Sequence, residues 1–194
     1  MAKKPTPKTD PIELIIISVM NLAARHGWRH VSMQDIADET GLSLPELRQH
    51  IPVKNDFLKL FVTFVDQQVL DEVGTLESQE PPRERLFDVL MTRFEKLSPY
   101  RDGIAALMRD GLVDPIALAK QFCILRQSMA AMLAAAEIPT SGPFGALRLK
   151  GALILYASVF RIWLKDESTD LSKTMAALDK ALTQLDKWAR RIPA

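Results

Sequence analysis

The sequence predicts an all-α protein of about nine helices, and three observations carry that prediction. Apolar residues recur at spacings of three and four along most of the chain. No stretch sustains the period-two alternation of a half-buried strand. Most of the 12 prolines fall between helical stretches, where their missing N–H costs little. With 194 residues and 47% apolar content, the chain can bury a sizeable core as one unit or two closely packed small ones.

Composition narrows the setting. A formal charge of +1 gives no global field toward nucleic acid, so any such attraction must come from a local patch. The single cysteine, Cys123, excludes an internal disulfide framework and fits a reducing compartment. The N-terminus lacks the apolar segment and small-residue cleavage site of a secretion signal. Gly151 to Phe160, the longest apolar run, is bracketed by Lys150 and Arg161 and is well short of the ~20 residues that span a bilayer. A cytoplasmic location is expected.

Taken in order, residues 1–10 carry Lys3, Lys4 and Lys8 with two prolines and read as a disordered basic arm. Pro11 to His26 is an apolar helix, with Ile12, Ile15, Ile16, Val19, Leu22 and Ala23 at helical spacing and Gly27 as its stop. Trp28 and Val31 are expected to seal a small core behind it.

The stretch Ser32 to Lys54 reads as two short helices joined by a glycine turn. Ser32 caps the first, Asp35 supports the same turn, and Gly41 ends it. Ser43 caps the second in a Ser-x-x-Glu box with Glu46, and Pro45 sits in the first turn. Leu44, Leu47 and Ile51 point inward, which leaves Glu46, Arg48, Gln49 and His50 facing away from the core. A helix of about two turns is marginal alone in water, so its neighbours must carry it. That is the logic of a helix-turn-helix, whose second helix offers its N-terminal residues to base edges in a major groove.

Pro52 stops this helix, and Asn55 or Asp56 starts a long one to about Val73. Its stripe of Phe57, Leu58, Phe61, Phe64, Val65 and Gln68 suits a link between two cores. Residues 74–82 form a polar junction. Further helices are expected over about Arg83 to Leu97, Gly103 to Arg109, Pro115 to Ala136, Ala146 to Lys165 and Leu171 to Arg191, with a Pro/Gly/Ser loop from Ile138 to Gly145. The Gly151 to Phe160 segment is apolar nearly all round and needs cover on most sides. The last helix sets Met175, Leu178, Leu182, Leu185 and Trp188 at heptad-like spacing.

The run Ala23 to Leu58 resembles the DNA-binding domain of the tetracycline-repressor (TetR) family of transcription regulators. The likeness rests on Gly27, the Ser32 cap, Ile36-Ala37, Gly41-Leu42-Ser43, Leu47, His50 and Lys54 ahead of a long helix. It implies a helix-turn-helix domain over residues 11–56 and a ligand-binding and dimerisation domain over 57–194. It also implies a double-stranded DNA operator as partner, a homodimer through the last two helices, and a small apolar effector or lipid in the second domain. On that reading Arg48, Gln49 and His50 contact bases, and Ser32, Ser43 and Lys54 contact phosphate. Leu44, Pro45 and Glu46 lie at the same surface. Met91, Phe94, Leu107, Met108, Phe122, Leu125, Met129 and Met132 are candidate pocket linings, with plain core packing as the alternative.

The chain departs from the family at Arg48, where a tyrosine is common, and at Ile51, where an aromatic is common. Arg48 can still pair with guanine or phosphate. Glu46 can accept from a cytosine amino group or simply close the capping box. From Arg29 to Leu60 four basic residues (Arg29, Arg48, Lys54, Lys59) face five acidic ones (Asp35, Asp38, Glu39, Glu46, Asp56), the reverse of the usual balance of a DNA reader.

A second resemblance covers Thr92 to Leu107 and Ala152 to Leu182, which look like the lipid-binding protein of coenzyme Q biosynthesis. That family shares the TetR fold but binds isoprenoid lipid and membrane. It implies a lipid in the cavity and a last helix lying on a membrane surface. Catalysis is not expected: His26, His30 and His50 form no metal-spaced set, and neither a phosphate loop nor a nucleophile elbow can be placed. No cofactor is expected.

Overall fold

The computed structural model describes residues 10–74, 80–111, 115–142 and 144–189. The expected basic arm lies outside them apart from Asp10, as do residues 75–79 of the expected junction. Among the described residues there are nine α-helices and no strand. They are α1 (Pro11–His26), α2 (Met33–Thr40), α3 (Leu44–His50), α4 (Phe57–Val73), α5 (Pro82–Leu97), α6 (Arg101–Gly111), α7 (Pro115–Ala135), α8 (Gly145–Trp163) and α9 (Ser172–Ala189). No helix among the described residues is long and apolar enough to cross a membrane.

The chain divides into two compact units, residues 1–61 with 100–118, and residues 62–99 with 119–194. In the first, α1 starts under an Asp10 cap whose side chain accepts from the Ile12 amide at 3.0 Å, and it buries Ile15, Ile16, Val19 and Ala23 completely. Gly27 ends it at φ +80°, a conformation that favours glycine. The sequence reading grouped residues 101–111 with the C-terminal domain, but α6 packs along α1 in this unit. The reason is Gly103. A Cβ there would lie 2.8 Å from the Met20 carbonyl oxygen and 2.9 Å from its Cα, so the two backbones touch in a way only glycine permits. Asp110 at the far end of α6 accepts from the Arg29 amide at 3.0 Å. A run of rings, Trp28 on Phe57, Phe57 on Phe61 and Phe61 edge-on to Tyr100, fills the rest of this core at centroid distances of 5.4–6.2 Å.

In the second unit α8 and α9 pack together and α5 packs on α9. Phe94 of α5 stacks on Tyr156 of α8 at 5.3 Å and lies 5.9 Å from Trp163, which is fully buried and donates to the Ser98 hydroxyl at 3.2 Å. The α8 to α9 turn is fastened by Asp166, a fully buried carboxylate. It accepts from the Thr174 amide at 2.8 Å, the Thr174 hydroxyl at 2.7 Å, the Ser168 amide at 3.1 Å and the Ser168 hydroxyl. Burial alone would raise this carboxyl, but the Ser168 and Thr174 hydrogen bonds outweigh it and hold the group well below the usual carboxylate range.

Two outcomes follow. Gly103→Ala should lower unfolding free energy by about 1–3 kcal/mol in urea titration, the usual cost of forcing atoms into a packed contact. Asp166→Asn should destabilise the protein at neutral pH. Because the folded carboxyl titrates below the unfolded one, wild type loses this stabilisation only as pH falls beneath about 4, so the gap between the two proteins should narrow there.

Candidate functional site

The helix-turn-helix is assembled from α2, α3 and the start of α4. Ser32 and Asp35 form a reciprocal box at α2: the Ser32 amide and hydroxyl donate to Asp35 Oδ2 at 2.7 and 2.8 Å, and the Asp35 amide donates back to Ser32 Oγ at 3.1 Å. Gly41 closes α2 in the left-handed region at φ +71°. Ser43 and Glu46 repeat the device at α3, with the Ser43 amide and hydroxyl donating to Glu46 Oε2 at 2.8 and 2.6 Å. Both carboxyls are held below their ordinary values by these bonds, Asp35 chiefly by the Ser32 amide and Glu46 chiefly by the Ser43 hydroxyl.

Inward residues of α3 behave as its spacing requires. Leu47 and Ile51 are fully buried beside Ile36 and Ala37 of α2. Leu44 is half-buried and Pro45 exposed in the first turn. Arg48 and Gln49 project into solvent, and neither makes a hydrogen bond or ion pair among the described residues; His50 is half-buried. A short helix thus presents an arginine and a glutamine, the side chains suited to guanine and adenine edges, with no described residue competing for them.

Four other predicted contact residues are engaged internally. Ser32, Ser43 and Glu46 are committed to the two capping boxes, so Glu46 acts here as the box partner rather than as a group free for cytosine. Lys54, expected on phosphate, has internal partners too. Its ammonium donates to the carbonyls of Trp28 at 2.5 Å and Arg29 at 3.4 Å, and it sits 4.3 Å from the centroid of the Trp28 ring. Desolvation there lowers its pKa, against the opposing pull of Asp110 and Asp35. Lys54 therefore ties the turn after α1 to the entry of α4, because its long stem reaches the Arg29 carbonyl and the Trp28 carbonyl, which also accepts from the Val31 amide at 3.3 Å. An ion pair between Arg25 and Glu39 at 2.6 Å links α1 to α2, but both side chains are well exposed and the pair contributes little.

The predicted pocket residues separate. Leu107 and Met108 lie on α6 in the first unit, and the other six lie in the second. Phe94, Met129 and Met132 are fully buried and Met91 nearly so; Leu107 and Leu125 are half-buried. Met108 at 42% and Phe122 at 57% exposure face solvent, contrary to an interior role, since α6 and α7 turn those positions away from their cores.

Sequence reasoning missed a polar cluster inside the second unit. Arg93 of α5, only 2% exposed, ion-pairs through Nη1 with Asp66 Oδ1 of α4 and donates from Nε to the Tyr156 hydroxyl of α8 at 3.2 Å. Ser128 of α7 donates to the same Asp66 oxygen at 2.9 Å. Four helices thus meet at one buried charge pair. Its signal in the sequence was faint but present: Arg93 sits between Val89 and Leu97, and Asp66 between Val62 and Val69, each at helical spacing on a stripe otherwise apolar.

No protein-family model and no curated protein matches the chain. Solved structures do match. A TetR transcriptional regulator from Nitrosomonas europaea superposes with a TM-score of 0.77 at 19% identity, over 92% of this chain and 99% of that one. A TetR regulator from Rhodococcus sp. RHA1 gives 0.63 at 18% identity over 90% and 95%. A TetR-family regulator from Streptomyces coelicolor gives 0.60 at 19% identity over 92% and 82%. The fold of this chain is that of the TetR-type transcriptional regulators.

The Lys54 contacts lead to a stability prediction. Lys54→Ala should lower the unfolding free energy by about 1–3 kcal/mol, the range for a charged hydrogen bond and a cation–π contact, as measured by chemical denaturation without DNA.

Proposed function

We propose that the chain is a DNA-binding transcription regulator of the TetR type, most simply a repressor, which acts as a homodimer and releases its operator when a small apolar effector or lipid enters the second unit. The observation that carries this reading is α3: doubly anchored by Leu47 and Ile51, capped at Ser43, and offering Arg48 and Gln49 outward without internal partners. The solved relatives, named as TetR regulators, support it by fold.

Dimerisation is supported by α8. That helix was expected to need cover on most sides, yet Leu147, Ile154 and Ile162 are 50%, 64% and 43% exposed, and Met175 of α9 is 45% exposed. Leu178 and Leu182 of the heptad-like stripe are instead buried within the chain, so the stripe serves mainly the α8 to α9 packing. The uncovered row 147, 154, 162 recurs at near-heptad spacing, the pattern by which a second copy covers a helix. By hypothesis the effector favours a dimer geometry in which the two α3 helices no longer match successive major grooves.

A second reading, a lipid carrier of the coenzyme Q type without DNA binding, is favoured by one observation: Lys54, Ser32, Ser43 and Glu46 all have hydrogen-bond partners within the chain, although the last three stand at the surface. Selection of bound duplexes from a random pool separates the two, with vesicle flotation run beside it. Recovery of a two-fold symmetric site supports the regulator, whereas flotation with no enriched duplex supports the carrier. On the recovered site Arg48→Ala should lose roughly 1–3 kcal/mol of discrimination at one base position. Ile154→Lys should convert the dimer to a monomer in sedimentation analysis; an unchanged dimer would place the interface elsewhere.

A further inference from the structure

Two of the chain's three histidines meet in one cleft of the first unit. The cleft, of about 280 Å³, lies between the end of α1 and the start of α2 and is lined by Leu22, His26, His30, Val31 and Asp35. Both histidines are exposed, whereas Leu22 and Val31 are buried and give the cleft an apolar floor. Charges reach it from three neighbouring elements. Asp35 comes from α2, its carboxyl held low first by the Ser32 hydrogen bonds and further by His26 and Lys54. Asp110 comes from α6: a Cβ on Gly27 would lie 3.4 Å from its Oδ2 and 3.8 Å from His30 Cδ2, so this carboxylate and the imidazole flank the same glycine. Lys54, at the entry of α4, is drawn on by both acids. On α1, Arg25 is paired with Glu39 at 2.6 Å, and Arg29, next to His30 in the chain, is exposed and outside the lining. Two acids thus stand against one lysine while the histidines are neutral, and protonation of both adds two cations and reverses the sign. Imidazole is the side chain whose charge changes between pH 5 and 8.

We propose that this cleft holds one phosphodiester group of the DNA backbone, and does so only while His26 and His30 are charged. This rests on the regulator reading given above and makes its DNA affinity depend on protons. Ser32, Ser43 and Lys54 already have partners within the chain, so the two imidazoles are the donors the cleft can offer. Each imidazolium donates an N–H to a phosphate oxygen, a charge-assisted bond. When neutral they leave the anion facing Asp35 and Asp110, and like charges oppose it. The occupant is a duplex because α2 is the first helix of the helix-turn-helix, the one that crosses the phosphate backbone.

Fluorescence anisotropy of the full chain on a labelled mixed-sequence duplex, at pH 6.0 and pH 8.0, reads the gate. Wild type should bind at least tenfold more tightly at pH 6.0, and log affinity against log salt should be steeper there by about one unit, the value for one more phosphate contact. In His26→Gln with His30→Gln the gain should fall below threefold, what remains belonging to the half-buried His50 of α3. Both substitutions fall on exposed positions, and circular dichroism checks the fold. Histidine-ring NMR with inorganic pyrophosphate, without DNA, tests the cleft by itself. The His26 and His30 signals should shift saturably at pH 6.0 and stay still at pH 8.0. A gain above threefold in the double variant, or His26 and His30 signals that pyrophosphate leaves unmoved at pH 6.0, would overturn the proposal. No duplex binding at either pH would sink the regulator reading and this occupant with it, whereas duplex binding without a pH gain sinks the gate alone.

Discussion

Everything at the candidate interface depends on one constraint: a helix of seven residues cannot stand alone in water, so α3 exists only because Leu47 and Ile51 are pulled into a core built by other helices. The two capping boxes, the glycine turn at Gly41 and the Lys54 tether all serve that end. The boxes satisfy amides at the starts of α2 and α3, Gly41 supplies the left-handed turn between them, and Lys54 binds the turn after α1. The consequence is a division of labour in which the residues that hold α3 in place already have partners within the chain. Arg48 and Gln49 are left to project outward because nothing else uses them.

The same division gives several acidic residues of this region a structural part. Asp35 and Glu46 are the box partners of Ser32 and Ser43 and keep their negative charge, while Glu39 is paired with Arg25. Lys54 is likewise engaged. Counting charges along the chain therefore overstates what Lys54 offers a partner, whereas Glu46 remains an exposed anion on α3.

The first unit was legible in the sequence where periodicity and caps decide the outcome. The limits of α1, α2 and α3, the Ser32 and Ser43 boxes and, of the inward set Leu44, Leu47 and Ile51, the last two are local properties that came out as read, while Leu44 is only half-buried. What was illegible depends on which helix meets which. Gly103 gives no sign in the sequence that it touches Met20, so the packing of α6 on α1 could not be read. Met108 and Phe122 have helical spacing that fits an interior, but spacing cannot say which face of α6 or α7 another helix will cover. The Arg93 and Asp66 pair needed both ends in view at once: a lone charged residue on an apolar stripe reads as a surface position until its partner, 27 residues away, is found beside it.

A direct test of the outward α3 helix is geometric. Two-fold paired reading heads demand half-sites about one helical turn apart on the same face of the duplex. Fluorescence anisotropy on duplexes carrying the selected half-sites at their native spacing, and at spacings increased by five and by ten base pairs, measures that demand. A dimer that presents two such helices should lose affinity sharply at the half-turn insertion, where the second half-site rotates to the opposite face. Affinity that ignores the insertion, or no saturable binding at any spacing, would contradict a role for α3 in reading DNA.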